Sequence, residues 1–281
     1  MARVMTTIRL GAVAYLNARP LVDGLDRSAA FSLRFDLPSR CGELLHMGAI
    51  DVGLIPSIEY LRAPAGASYS IVPDLAIASN GPVASVAIYT TRPMGEVRSI
   101  ALDTSSRTSV ALVRVLCARV FGIQPSLEHS SPDLPAMLGR ADAALIIGDN
   151  ALFRDGGEQE LLVDGRLKAV QVEKVDLGLM WTNATGLPFV YAVWVGRDGC
   201  LSEAHVQELQ AARDRGTQRP EALAAEYFPE EPGRQGLGER YLRDNIKYTL
   251  GSRERLGLEL FYRYATEVGA VDRTRELRFF S

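Results

Sequence analysis

Short runs of β-branched and other apolar residues recur along the chain. Most are followed within a few positions by Pro, Ser, Thr or Asn, and then by a stretch with helical spacing. Strands are expected over Ile8–Val13, 33–37, 52–55, 85–89, 99–102, Ala143–Ile147 and 189–195. Asn17 precedes Pro20 as a plausible cap and first-turn pair, Pro38-Ser39 opens a helix ending at Gly48, and Pro56-Ser57 opens a short one. A longer helix over 106–121 stops at Gly122. After the last strand the pattern turns helical, over 202–215, 221–227, 236–245 and 252–268. This alternation predicts an α/β protein with mostly parallel sheets.

Length adds a second constraint. At ~150 residues per domain, 281 residues suggest two units. No Gly/Ser linker separates two halves, so the expectation is two interleaved lobes. Crossings near 89–93 and 185–190 would make residues 1–90 plus 189–281 one lobe and 91–188 the other.

Composition excludes several functions. Thirty-one Lys and Arg against 34 Asp and Glu leave a net charge of −3, without the basic excess of a nucleic-acid binder. No apolar run approaches the ~18 residues of a membrane span. The first residues run into a strand with no apolar signal region, which points to a cytoplasmic protein. Cys41, Cys117 and Cys200 are distant and odd in number, and His46, His129 and His205 lack metal or triad spacing. No metal site is expected. Dinucleotide, P-loop and nucleophile-elbow motifs are missing.

Candidate site residues gather where strands end. In an open α/β sheet ligands bind at the carboxyl ends of strands, and free N–H groups at helix starts favour anions. The richest stretch is 104–109. There Thr104, Ser105, Ser106, Thr108 and Ser109 surround Arg107 at one helix start, more hydroxyls than capping needs. Arg107 can face a ligand or solvent. Ser39 and Ser57 stand at two other helix starts. Asn80 and Ser85 flank a Gly81-Pro82 turn, which can equally be a plain loop. Asn17 can be a cap or a contact, and Asp149, after Gly148, a base, a contact or a cap.

Five ordered strings carry a family resemblance. They include Tyr15-Leu16-Asn17-Ala18-Arg19-Pro20, Gly53-Leu54-Ile55-Pro56-Ser57 and Ser79-Asn80-Gly81-Pro82-Val83-Ala84-Ser85. Asp103-Thr104-Ser105-Ser106-Arg107-Thr108-Ser109 and Ile147-Gly148-Asp149-Asn150 complete the set. Together they resemble the chorismate dehydratase family of the futalosine route to menaquinone. The resemblance implies a periplasmic-binding-protein-like fold of type II, with two α/β lobes around a ligand cleft. It implies a small dicarboxylate substrate, chorismate, losing water to give 3-[(1-carboxyvinyl)oxy]benzoate, with no cofactor.

The roles it implies are these. Thr104, Ser105, Ser106, Arg107, Thr108 and Ser109 would bind one carboxylate. Ser39, Ser57, Asn80 and Ser85 would line the opposite lobe. Asn17 would bind the leaving hydroxyl or the enolpyruvyl group. Asn17, Ser85 and Asp149 form the catalytic set, with Asp149 or Glu59 as the base unless a substrate carboxylate or water takes the proton. A sister synthase family, which makes dihydroxynaphthoate, carries a catalytic His just after the strand matching Ala143–Ile147. Gly148-Asp149 stands there instead. A non-catalytic anion-binding protein on the same fold is the remaining alternative.

Overall fold

The computed structural model describes residues 7–163 and 166–281. Two sheets organise it. The first has the order β2-β1-β3-β11-β4, built from β1 (Ile8–Val13), β2 (Phe31–Asp36), β3 (Val52–Pro56), β4 (Tyr69–Ser79) and β11 (Phe189–Arg197). The second has the order β7-β6-β8-β5-β10-β9. Its strands are β5 (Val86–Thr90), β6 (Ser99–Asp103), β7 (Ser126–Ser130), β8 (Ala143–Ile147), β9 (Gly157–Val163) and β10 (Arg166–Asp176). β3, β5 and β8 are buried at every position, as expected for strands covered on both faces.

Each sheet joins parallel to antiparallel strands, which corrects the expectation of mostly parallel pairing. β1 runs parallel to β2 and β3, and β6 parallel to β7 and β8. β11 enters the first sheet antiparallel to β3 and β4, and β5 enters the second antiparallel to β8 and β10. Both are strands by which the chain arrives from the other sheet, so no helical crossover sets their direction.

The first crossing also falls earlier than expected. Val86–Thr90 pairs with β8 and β10 rather than with the first sheet, so the chain passes between sheets over residues 80–85, not 89–93. It returns after the helix Leu177–Thr185, and β11 begins at Phe189. Asp176 shapes the first crossing. Its carboxylate accepts N–H groups of Val83 at 3.1 Å, Ala84 at 2.6 Å and Leu179 at 2.9 Å. Ala84 there has φ 65°, a left-handed conformation uncommon for a residue with a Cβ.

One apolar cluster spans both lobes, and a second, smaller one lies within the second lobe. Leu112, Val113 and Leu116 of the helix Arg107–Leu116 belong to the same buried cluster as Leu258, Phe261 and Ala265 of the helix Ser252–Glu267. Arg119 pairs with Glu267 and lies over the Tyr264 ring on the same side. Among the described residues no helix is long and apolar enough to cross a membrane.

Candidate active site

The cleft lies between the two sheets, where strand ends and the first crossing meet. Val13, Tyr15, Asn17, Ser85, Ser106 and Ser109 are among its lining residues, with Gly148 and Tyr191. Four of the expected site residues are therefore brought together: Asn17, Ser85, Ser106 and Ser109.

Asn17 is not a helix cap. The segment Leu16–Val22 forms 3-10 turns capped by Tyr15 without a side-chain bond, and the Asn17 carboxamide is left for the cleft. Its Nδ2 donates to the Tyr241 hydroxyl at 3.1 Å, and its Oδ1 is buried with no partner. The Tyr241 and Ser85 hydroxyls lie 2.6 Å apart. An amide N–H can only donate, so Tyr241 accepts from Asn17, while either hydroxyl can donate in the Tyr241–Ser85 contact. When Tyr241 donates there, the Ser85 proton is free for a ligand in the cleft. Burial pushes the Tyr241 phenol well above its ordinary range, so this hub stays neutral. The cleft thus presents an uncharged donor, Ser85, beside an uncharged acceptor, Asn17.

At the helix start the same bookkeeping of protons applies. Ser106 Oγ caps the helix by accepting from Ser109 N at 3.4 Å and from Ser109 Oγ at 3.1 Å. Its own proton is free to donate toward the cleft. Both residues are almost fully buried. Together with the free N–H groups of the first helical turn they suit a carboxylate.

The remaining expected residues do not line the cleft. Helical period explains this: Ser106 and Ser109 face one way, whereas Arg107, Val110, Ala111 and Arg114 line a separate surface groove with Ser39 and Thr104. Arg107 turns away from the cleft and is partly exposed. It donates to Glu59 at 2.9 Å and Glu43 at 2.7 Å. Glu59 is buried and also meets His46 at 3.0 Å and Arg62 at 2.9 Å. Burial opposes its ionisation, but the His46 bond and the Arg107 and Arg62 charges outweigh it and hold the carboxyl below its ordinary value. Glu59 is thus an ion-pair anchor and carries no free base.

Ser57 and Thr108 are buried joints between lobes. Ser57 Oγ donates to Val190 O at 2.8 Å, and Thr108 Oγ1 accepts from Ile58 N at 3.2 Å. Ser39 joins the lobes through its backbone N–H, which donates to Ser105 O at 2.9 Å. Asn80 and Thr104 are exposed.

Asp149 lies behind the cleft wall. Its carboxylate accepts from the Tyr227 hydroxyl at 2.6 Å and from Leu16 N at 3.3 Å. Burial pushes its pKa up. Each oxygen accepts one hydrogen bond, and Asp149 is not among the residues that line the cleft.

Sequence reading missed Tyr15, Tyr191 and Tyr241. Tyr15 is adjacent to the motif that flagged Asn17. Nothing near Tyr241 marks it, because its partner Asn17 is 224 positions away.

Two sheets joined by two crossings, with a cleft between their strand ends, define a two-lobed α/β protein of the periplasmic-binding-protein-like fold. Solved structures agree. A protein of Archaeoglobus fulgidus superposes with a TM-score of 0.66 at 14% identity, covering 94% of this chain and 98% of that one. The periplasmic aliphatic sulphonate-binding protein of Escherichia coli gives 0.58 at 16% identity, covering 92% of each chain. Within that fold the chain belongs to the menaquinone biosynthesis family, which matches residues 8–267. The chorismate dehydratase of Thermus thermophilus is 32% identical over 262 residues, 90% of this chain and 93% of the relative.

Proposed function

We propose that this protein is a chorismate dehydratase, a hydro-lyase that removes water from chorismate to give 3-[(1-carboxyvinyl)oxy]benzoate. Family membership and the dehydratase relative support the reading. The observation that carries it is the Asn17–Tyr241–Ser85 arrangement. Chorismate is a dianion with a single O–H donor, the ring hydroxyl that must leave. A hydroxyl that donates to Asn17 Oδ1 and accepts from Ser85 Oγ satisfies both free positions of the cleft. As the carbon–oxygen bond breaks, charge grows on that oxygen and the Ser85 hydrogen bond strengthens, so the contact favours the transition state over the ground state. Ser106 and the adjoining helix start hold a carboxylate.

The reaction is redox-neutral and ends in an aromatic ring. The protein's task is to orient the dianion, bind the leaving group and keep the enolpyruvyl arm from rearranging. A catalytic His after β8, as in the sister synthase, is sterically disfavoured. Gly148 has φ 64° and ψ −147°, and a Cβ there would sit 2.8 Å from the Tyr15 ring.

The test is to incubate the purified protein with chorismate and follow the aromatic product by absorbance and chromatography. Product formation that drops by about 10²-fold or more in Ser85→Ala and Asn17→Ala is the expected result. Absence of product from the unaltered protein, or unchanged turnover in both variants, would overturn it.

A further inference from the structure

Three arginines of the C-terminal segment share one pocket on the first lobe. Arg273, Arg275 and Arg278 line it with Tyr60, Ser68 and Tyr69, and none of these residues lines the cleft. Many arginines of this chain are matched to carboxylates, as Arg9 is to Asp51 and Arg219 to Asp23 and Glu226. Among the described residues none of these three forms an ion pair.

The backbone that carries them is fixed. Ile71 N donates to Arg278 O at 2.8 Å, and Phe280 N donates to Ile71 O at 3.0 Å. The Tyr60 hydroxyl donates to Glu276 O at 2.8 Å and accepts from Arg278 N at 3.0 Å. These contacts dock the segment along the outer edge of β4, the terminal strand of its sheet. Two of the guanidiniums are anchored as well. Arg275 Nη2 donates to Ala63 O at 3.2 Å, and Arg278 Nη1 donates to Ser68 Oγ at 3.4 Å. A guanidinium has several N–H donors, so most of theirs remain open.

The charges do not cancel locally. Glu276 is the single carboxylate among the lining residues, against three guanidiniums, which leaves two positive charges. Around the rim, Arg197 acts on Tyr69 and Asp198 on Tyr60, one charge of each sign. The Ser68 and Ser70 hydroxyls already donate to Asp198. Asp272 lines the neighbouring groove. Like charges held together on a fixed backbone repel, so the fold carries a cost that a bound anion removes.

We propose that this pocket is a binding site for a phosphate-bearing dianion, separate from the cleft. A phosphate group carries about −1.5 to −2 charges near pH 7, which matches the local excess. Its tetrahedral oxygens accept from several guanidinium forks at once, whereas a carboxylate offers one charge in one plane. The site stands independently of the dehydratase reading, and its test reads binding and melting rather than turnover.

The full chain is titrated by calorimetry with inorganic phosphate, pyrophosphate and adenosine monophosphate at constant ionic strength, with sodium chloride as the control for screening. Melting temperatures are recorded with and without each anion. The proteins are the unaltered chain, Arg273→Gln, Arg275→Gln, Arg278→Gln, Ser106→Ala and Arg98→Gln. Arg98 is an exposed arginine of the second lobe, and Ser106 reports any anion held in the cleft. Saturable binding should weaken about 10-fold or more in each of the first three variants and stay unchanged in the last two. Arg273→Gln keeps the test decisive if the anchored arginines prove necessary for folding. Without anion it should melt at or above the temperature of the unaltered protein, because it relieves repulsion. With pyrophosphate it should melt below it. Equal affinity for the three anions supports a site for the bare phosphate group, and tighter adenosine monophosphate supports a site for its esters. No saturable binding of any of the three overturns the proposal. So does binding that Arg98→Gln weakens as much as Arg273→Gln, which is general attraction. Binding lost in Ser106→Ala and kept in Arg273→Gln places the anion in the cleft and overturns it too.

Discussion

The hydroxyls of Tyr241 and Ser85 lie 2.6 Å apart, and this single contact ties the C-terminal helical region to the crossing between the two sheets. Tyr241 is buried and does not line the cleft, so it acts on chemistry only through Asn17 and Ser85. Tyr241→Phe leaves the ring in place and removes the group that directs both. An unsatisfied buried donor or acceptor costs roughly 1–3 kcal/mol, so kcat should fall about 10- to 100-fold. The loss in the double variant with Ser85→Ala should be less than additive, because the two changes share the Tyr241–Ser85 contact while Tyr241→Phe also releases Asn17. Additive losses in steady-state kinetics would show that Tyr241 has a separate role.

Asp149→Asn should keep kcat within a few-fold of the unaltered enzyme. Its oxygens accept from Tyr227 and Leu16, and it is not among the residues that line the cleft. A general base contributes ~10²–10⁴-fold, so a loss of that size in a rate assay would restore Asp149 to the chemistry.

Glu59 should dominate acid stability. Its carboxyl is depressed in the folded protein, so its stabilisation is present above the unfolded value near 4.5 and is lost as pH falls through the folded value. Thermal melts of the unaltered protein should therefore drop steeply below about pH 4.5. Glu59→Gln should show a flatter acid profile and a lower melting temperature at pH 7. Removing one partner of a buried ion pair costs about 3–5 kcal/mol, discounted here because Arg62 and Arg107 are partly exposed. Parallel acid profiles for the two proteins would remove Glu59 from this role.

How much of this was legible follows from local and distant causes. β3, β5 and β8 announce themselves because they are continuous apolar runs. β4 does not, because Pro73 and Asp74 interrupt it, and Asp74 has φ 62°. β9 and β10 pair with each other at the edge of the second sheet, and most described side chains of β10 are polar or exposed, so no alternation marked a core face. Hydroxyl density located the helix start correctly. It could not separate Ser106 and Ser109 from Arg107 and Thr108, because that depends on the rotational phase of the helix against the cleft. Asn17 and Ser85 were readable from their strings, whereas Tyr241 becomes a partner only through tertiary packing.

Gly148→Ala should damage activity more than stability. The backbone there lies in a region essentially confined to glycine, at a cost of about 1–3 kcal/mol for other residues. Its new methyl group would also press on Tyr15. Relief by displacing the Tyr15 ring would move the hydroxyl from Ser105 and misplace the cleft wall. The expected result is a modest fall in melting temperature with a larger fall in kcat. A variant as fast as the unaltered enzyme would show that the Tyr15 position is not critical.

The order of strands in the first sheet bears on how the protein is made. β11 lies between β3 and β4, yet among the described residues it is the last of eleven strands. During synthesis β3 and β4 emerge long before the strand that joins them, and each presents an unpaired edge while the second sheet is being made. The second sheet draws all its strands from one continuous stretch, Val86 to Asp176, and can assemble first. The late strand then threads the gap, pairs with both waiting edges and brings the Tyr241 region into reach of Asn17. A ribosome-bound chain stopped before Phe189 would therefore hold a folded second lobe beside an open, aggregation-prone first one, and chaperone demand should peak in that interval.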